Sequence, residues 1–326
     1  MDFSFGVLTY NSERFIVETL ESILYQIVTY GKDKECELII SDDGSRDNTV
    51  NIIENWLSVN NNYFSNTTLL TSESNNGTVI NYHKVFDKIS AKYFHIIAGD
   101  DLFSKNNIFE FASKLVDYDI ITSFPICLDD NKQQLFIDYR RLQRHIYHSN
   151  HKPYTSQELV DLELFGSFLH TPSTLFQKFL YNDEVSDFVK GFYLYEDDPK
   201  WLKLLSATSN IYYSCVPIII YRYHGGSVCH SAHSAFDEDR YKLNAAGKKM
   251  TQNFWILLYL NLSEKILRKR RRETFLYYIR GLQYIKCKVH NMFRKDTRKI
   301  LNSVNEDMNK ETKYFEYIKN KAKNYK

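Results

Sequence analysis

The chain has 326 residues, 43% apolar and 15% aromatic, enough to bury a sizeable core in one large or two moderate domains. Its net charge of +2 conceals a split, because residues 1–239 carry 19 Lys and Arg against 33 Asp and Glu, and residues 240–326 carry 23 against 7. The longest apolar runs, about ten residues, are roughly half of what a bilayer-spanning helix needs, and the opening MDFSFGVLTYN lacks the basic stretch of a secretory leader.

Phe3 to Thr9 is predicted as a first strand. Ser12 is placed to cap a helix whose apolar stripe, Phe15, Ile16, Leu20, Ile23, Leu24 and Ile27, repeats every 3.6 residues. Glu37 to Ser41 reads as a buried strand ending in Asp42-Asp43-Gly44-Ser45, followed by a helix with Val50, Ile53, Trp56 and Leu57 inward. A short strand at Thr68 to Thr71 leads through a turn into a helix around Val79 to Ile89. Phe94 to Ala98 is an apolar strand that runs into Gly99-Asp100-Asp101, with a helix near Asn107 to Val116 and a further strand at Asp119 to Phe124. Strand and helix alternate throughout, which argues an α/β, doubly wound, mostly parallel, Rossmann-like sheet.

The second half is less regular. Thr155-Ser-Gln-Glu158 spells a capping box for a helix through Phe165. Ser173 to Gln177 suits a strand, Glu196-Asp197-Asp198-Pro199 opens a helix bearing Trp201, Leu202 and Leu205, and Ile211 to Tyr223 is strand-like. From about Asn253 onward everything reads as helical, so a domain of residues 1–235 is expected to carry a basic helical C-terminal region, 236–326. Cys36, Cys127, Cys215, Cys229 and Cys287 are scattered without CxxC spacing, which suits reduced thiols and a cytoplasmic location.

Two strands end in paired acids, at the edge where open α/β sheets bind ligands. No GxGxxG or P-loop follows the first strand, so a dinucleotide or triphosphate cradle is not supported. Carboxylates can bind a nucleotide in another way: one accepts from a base N–H or ribose hydroxyl, and another holds a divalent cation that neutralises the diphosphate.

Six stretches carry a family resemblance: Thr-Tyr-Asn-Ser-Glu after the first strand, Ile-Ile-Ser-Asp-Asp-Gly-Ser-Arg-Asp-Asn-Thr at 39–49, Asn76-Gly77, Ala-Gly-Asp-Asp-Leu at 98–102, Tyr-Glu-Asp-Asp-Pro at 195–199 and Tyr-Arg-Tyr-His-Gly-Gly-Ser at 221–227. In this order and spacing, over residues 3–230, the chain resembles a bacterial family 2 glycosyltransferase with the GT-A fold. The resemblance implies a sugar transferred from a nucleotide-sugar donor, a UDP-sugar, to a glycan or lipid-linked acceptor, with inversion, in surface polysaccharide or lipopolysaccharide synthesis. It implies that Thr9, Tyr10 and Asn11, with Asp42 or Asp43, hold base and ribose, and that Asn76 and Gly77 line the same cleft. Asp100, beside Asp101, would take the metal place of the family's D-x-D motif, with Mn²⁺ or Mg²⁺ as the cofactor. Ala98 stands where the first aspartate is usual, leaving fewer carboxylates for the metal.

The Glu196-Asp197 pair matches the family's own, with Asp197 as the expected catalytic base. Arg222, His224 and Ser227 are expected at the diphosphate, His224 as a further metal ligand. The structural alternatives are that Arg222 pairs with an acid and that His224 caps a loop. A zinc site from His224, Cys229, His230 and His233 is a competing reading, although H-x4-C-H-x2-H matches no finger spacing. A nucleotidyltransferase would carry a basic, Gly-rich loop after its first strand, which is missing here, whereas a non-catalytic binding protein on the same fold is favoured by Ala98 and opposed by Asp197.

In the tail, the apolar run Phe254 to Leu262 precedes Arg268-Lys-Arg-Arg-Arg272 and a stripe of Phe275, Tyr278, Ile279, Leu282 and Ile285. Such helices suit an anionic membrane surface, on the inner face of the cytoplasmic membrane. The alternative is that the stripe packs on the catalytic domain. No nucleic-acid-binding motif is present, and none is expected as a partner.

Overall fold

A computed structural model describes residues 1–151, 153–166, 168–225, 234–268, 285–292 and 295–325. At its centre four parallel strands, β1 (Phe3–Thr9), β2 (Cys36–Asp42), β3 (Asn66–Thr71) and β4 (Tyr93–Ala98), lie in the order β3-β2-β1-β4. The register places Thr9 beside Asp42, Asp42 beside Thr71 and Leu8 beside Ala98, so all four strands stop at one level. Every loop that leaves this level starts at the same carboxyl edge.

Alternation along the strands divides the interior. Phe3, Phe5, Val7, Leu38 and Ile40 join one core with helices α1 (Ile16–Tyr30) and α2 (Thr49–Asn60), whereas Ile39 and Phe94 join another across the sheet with α3 (Thr78–Phe86). The α1 stripe is buried as its period requires, but so are Glu18, Glu21 and Gln26 on its other sides. Each is satisfied: Glu21 accepts from Trp56 Nε1 at 2.7 Å, and Gln26 Nε2 donates to Ser104 O at 2.7 Å. The expected Ser12 side-chain cap is not made. Phe15 is the cap residue, and Ser12 contributes its carbonyl to the N–H groups of Phe15 and Ile16.

Beyond β4 the chain leaves the central sheet. The strands β5 (Leu102–Phe103), β7 (Ile126–Asp129), β8 (Gln134–Phe136) and β11 (Ile219–Tyr223) form one small mixed sheet, and β6 (Ile120–Thr122), β9 (Thr174–Phe176) and β10 (Ile211–Tyr213) another. The run Ile211 to Tyr223, expected as one strand, is thus two strands in two sheets, separated by a stretch containing Pro217. Helix α4 (Ile108–Ser113) is capped by Asn107, and α5 (Tyr139–Ser149) by Asp138. The capping box is made in both directions, Thr155 N to Glu158 Oε2 at 2.8 Å and Glu158 N to Thr155 Oγ1 at 3.2 Å, at the start of α6 (Ser156–Gly166). Helices α7 (Asp183–Lys190) and α8 (Asp197–Ala207) cover the second face of the sheet.

The C-terminal helices cross the division expected at residue 235. Helix α9 (Ser234–Met250) packs on α6 and α8, and α10 (Phe254–Arg268) buries Ile256, Tyr259 and Leu260 in the second core. The last helix, Lys295–Ala322, buries Val304, Tyr314, Phe315 and Ile318 against the β5–β11 sheet, and Tyr314 Oη donates to Phe103 O at 2.9 Å. Of the apolar run Phe254 to Leu262, Ile256, Tyr259 and Leu260 are thus in the core while Phe254, Trp255 and Leu258 are exposed, and Ile285, the described member of the later stripe, is exposed too. The basic run 268–272 and Phe275 to Leu282 lie outside the described residues, apart from the Arg268 backbone.

Candidate active site

The loops after β1, β2, β3 and β4 meet at the carboxyl edge because turn chemistry ties them together. Asn11 takes a left-handed φ of 50°, tolerable for asparagine. From there its N–H donates to Ser45 Oγ at 2.7 Å, and its Oδ1 accepts from Arg46 N at 2.9 Å. Asp42 folds its own turn, accepting from the N–H groups of Gly44 and Ser45 at 3.1 and 2.8 Å. Asp43 reaches to the next loop, accepting from Asn76 N at 3.0 Å and Gly77 N at 2.9 Å. Gly77 must be glycine on two counts: its φ is 89°, and a Cβ there would lie 2.8 Å from Tyr193 O.

That contact joins the loop after β3 to the segment before α8. The same segment is held from α9, where the buried Asp239 accepts from the N–H groups of Tyr193, Leu194 and Tyr195 at 3.1, 2.7 and 3.0 Å. Glu196 follows. Its Oε2 accepts from Lys200 Nζ at 2.7 Å, one helical turn on, and burial raises its pKa despite the lysine. Asp197 opens α8 and accepts from Asp198 N at 2.9 Å.

One cleft of ≈ 1720 Å³ runs along this edge, lined among others by Thr9, Tyr10, Asn11, Asp43, Gly77, Asp100, Glu196 and Asp197. Thr9 Oγ1 is buried with no hydrogen-bond partner there. Asp42 and Asn76 brace the loops behind the lining. Ser227, like Cys229, His230 and His233, lies outside the described residues.

The second acid pair is split between surface and interior. Asp100 Oδ2 accepts from His224 Nε2 at 2.8 Å, with the two side chains 26% and 11% exposed. Asp101 is 2% exposed and accepts from Arg222 N at 2.9 Å. Burial, and then the neighbouring Asp100, push its carboxyl pKa well up, although it too is part of the cleft lining. Arg222 differs from the expectation that it faces a diphosphate. Its guanidinium, 1% exposed, is engaged by Glu18 at 2.6 Å and Asp130 at 2.8 Å, and its Nε donates to Asp100 O at 2.7 Å. Two buried acids surround this cation, so it braces the edge; the alternative of pairing with an acid is the one the structure has.

Among the described residues no group of three or more His, Cys, Asp and Glu is arranged to hold a metal. Among the described residues Asp100 and His224 meet, one carboxylate and one imidazole. That set suits a Mn²⁺ or Mg²⁺ ion that keeps water and phosphate oxygens as its other ligands.

Sequence reasoning missed Lys200, Asp239 and the acids around Arg222. The i,i+4 spacing of Glu196 and Lys200 was a usable signal. Nothing local marked Asp239, which acts 44 to 46 residues away. Arg141 and Arg144 of α5 were likewise passed over, although both line the cleft.

A Mycoplasma pneumoniae glycosyltransferase homolog is 25% identical over 223 residues, 67% of each chain. A Mycoplasma genitalium glycosyltransferase is 30% identical over 140 residues, 42% of this chain and 44% of its own length, so the match spans less than half of that relative. Residues 1–349 of S. aureus TarS, solved with UDP-GlcNAc, superpose with a TM-score of 0.58 over 98% of this chain and 92% of that one, at 16% identity. The same TarS piece with UDP gives 0.51 over 75% and 65%, at 17% identity. At such identities the likeness shows the fold, a GT-A glycosyltransferase fold. The family described as Glycosyl transferase family 2 matches residues 4–183, more than half of the sequence, and the chain belongs to that family.

Proposed function

We propose that the protein transfers a sugar from a nucleotide-sugar donor, a UDP-sugar, to a hydroxyl of a glycan or lipid-linked acceptor, in bacterial surface polysaccharide or lipopolysaccharide synthesis. The observation that carries this reading is the single cleft that joins Thr9–Asn11 and Asp43 to Asp197. The TarS structures with UDP and UDP-GlcNAc support the choice of donor.

In this reading the Thr9–Asn11 turn and Asp43 hold base and ribose, and the Gly77 loop closes beside them. Asp197 takes the proton of the acceptor hydroxyl as its oxygen attacks the anomeric carbon and the bond to the diphosphate breaks. A single displacement of this kind inverts the anomeric centre. Lys200 fixes Glu196, and Asp239 fixes the backbone ahead of it, so the base is presented from a braced segment. A Mn²⁺ or Mg²⁺ ion held by Asp100 and His224 would neutralise charge on the leaving diphosphate.

A thermal-shift screen of nucleotides and nucleotide sugars, with and without Mn²⁺, tests the donor. UDP and a UDP-sugar should raise Tm, and Asp100→Ala should remove the part that depends on metal; no shift with any nucleotide sugar sinks the reading. Asp197→Asn should keep donor binding and lose about 10²-fold or more in turnover. Near-normal turnover would move the base elsewhere.

We also propose that the tail touches an anionic membrane surface. No described helix is long and apolar enough to cross a membrane. At the start of α10, however, Phe254 and Trp255 are 67% and 72% exposed, and the sequence runs from the far end of that helix into Arg268-Lys-Arg-Arg-Arg272. Co-sedimentation with anionic but not neutral vesicles should fall with salt and in Phe254→Ser/Trp255→Ser. Equal recovery of the variant sinks the role of these rings.

A further inference from the structure

The cleft is acidic along its nucleotide edge, yet α5 contributes Arg141 and Arg144 to its lining, three residues apart on one helical face. Elsewhere in the lining Arg222 holds Glu18 and Asp130, Lys200 holds Glu196, and α9 contributes Arg240. Arg141 pairs with Asp138 at 3.4 Å, both side chains about one third exposed, which is a weak contact.

Tyr221 organises the site. The Arg141 guanidinium lies 5.6 Å from its ring centre, and the His170 ring meets it edge-on at 5.1 Å. His170 lines the same wall, and its Nδ1 contacts Ser173 Oγ at 2.9 Å. Burial, and then the charges of Arg141 and Arg144, hold its pKa well down, so the imidazole stays neutral and adds no charge of its own. The result is a pair of guanidinium groups on a wall with an aromatic and a neutral histidine behind them.

We propose that Arg141 and Arg144 form a subsite for a phosphate group carried by the acceptor. Guanidinium groups match phosphate oxygens in geometry and stay charged at any relevant pH. The first 239 residues carry a large excess of acids, so a phosphate-bearing ligand would be repelled from this body without a local positive site. The proposal rests on the glycosyltransferase reading, in which the donor diphosphate sits by Asp100 and His224. The α5 pair stands on a separate element of the same cleft, with Arg141 within electrostatic reach of Asp101.

The test titrates glucose 1-phosphate, glucose and a short isoprenyl phosphate into the full chain saturated with UDP, and again without nucleotide. Binding of either phosphate probe beside UDP, with glucose much weaker, is expected. The sugar phosphate and the isoprenyl phosphate distinguish a phosphorylated glycan from a lipid phosphate. Arg141→Gln/Arg144→Gln should lose at least tenfold in phosphate-probe affinity, and Arg141→Lys/Arg144→Lys should recover most of it, while UDP affinity stays unchanged. If the glutamine variant instead loses UDP affinity, the arginines serve the donor and the proposal is overturned. It is also overturned if neither phosphate probe binds, or if the glutamine variant binds them as wild type does. If UDP fails to bind but the phosphate probes need both arginines, the subsite stands and the donor reading falls.

Discussion

The Asp42-Asp43 and Asp100-Asp101 pairs look alike in the sequence, each closing a parallel strand at the same sheet edge, yet the fold uses them differently. Both members of the first pair bind backbone, Asp42 the N–H groups of its own turn and Asp43 those of the Asn76-Gly77 loop, and Asp43 also lines the cleft. In the second pair only Asp101 is spent in this way, on Arg222 N, while Asp100 stays partly exposed against an imidazole. Paired acids at a strand end are therefore not a count of ligands. What separates brace from ligand is the number of backbone donors within reach and the burial that follows.

The most damaging way to break the comparison is Arg222→Ala. It strips the cation from Glu18 and Asp130, and leaving buried acids unpaired costs about 3–5 kcal/mol. Urea denaturation should show that loss; a change within experimental error would mean that the guanidinium is not a brace.

Next come the two aspartates themselves. Asp43→Ala orphans the N–H of Asn76, at about 1–3 kcal/mol if it stays buried, and takes one of two acceptors from that of Gly77, which keeps Asn75 Oδ1 at 3.0 Å. Asp100→Ala removes a partly exposed contact worth less than about 1 kcal/mol. Chemical denaturation of both variants should rank them in that order, and the reverse order would undo the distinction between brace and ligand.

The smallest effect sharpens it with a lone acid. Glu311 of the last helix is fully buried beside Lys105, and burial raises its carboxyl pKa from 4.5 to about 7. A carboxyl that holds its proton longer when folded makes the folded state bind more protons, so stability falls as pH rises from about 4.5 to about 7. Glu311→Gln should flatten this part of the Tm-against-pH curve relative to wild type. An unchanged slope in the variant would show that Lys105 already keeps Glu311 ionised.

The amino-acid sequence by itself determined the four central strands, their alternation with helices, the capping box at Thr155, and the stretches that face the cleft. These depend on periodicity and turn chemistry, which act over a few residues. Tertiary structure alone decided that Ile211 to Tyr223 serves two small sheets, because partners for those strands come from far along the chain. It also decided that Ile256, Tyr259 and Leu260 of the tail pack in the second core, since an amphipathic stripe has the same pattern whether it meets lipid or a core. The division of labour among the acids was equally hidden: a carboxylate becomes a brace only when folding brings it donors such as Arg222 N, 121 residues away. Arg222 itself shows the same physics from the cation's side. A guanidinium faces a ligand only if no buried acid claims it first, and Glu18 and Asp130 reach it only in the folded chain.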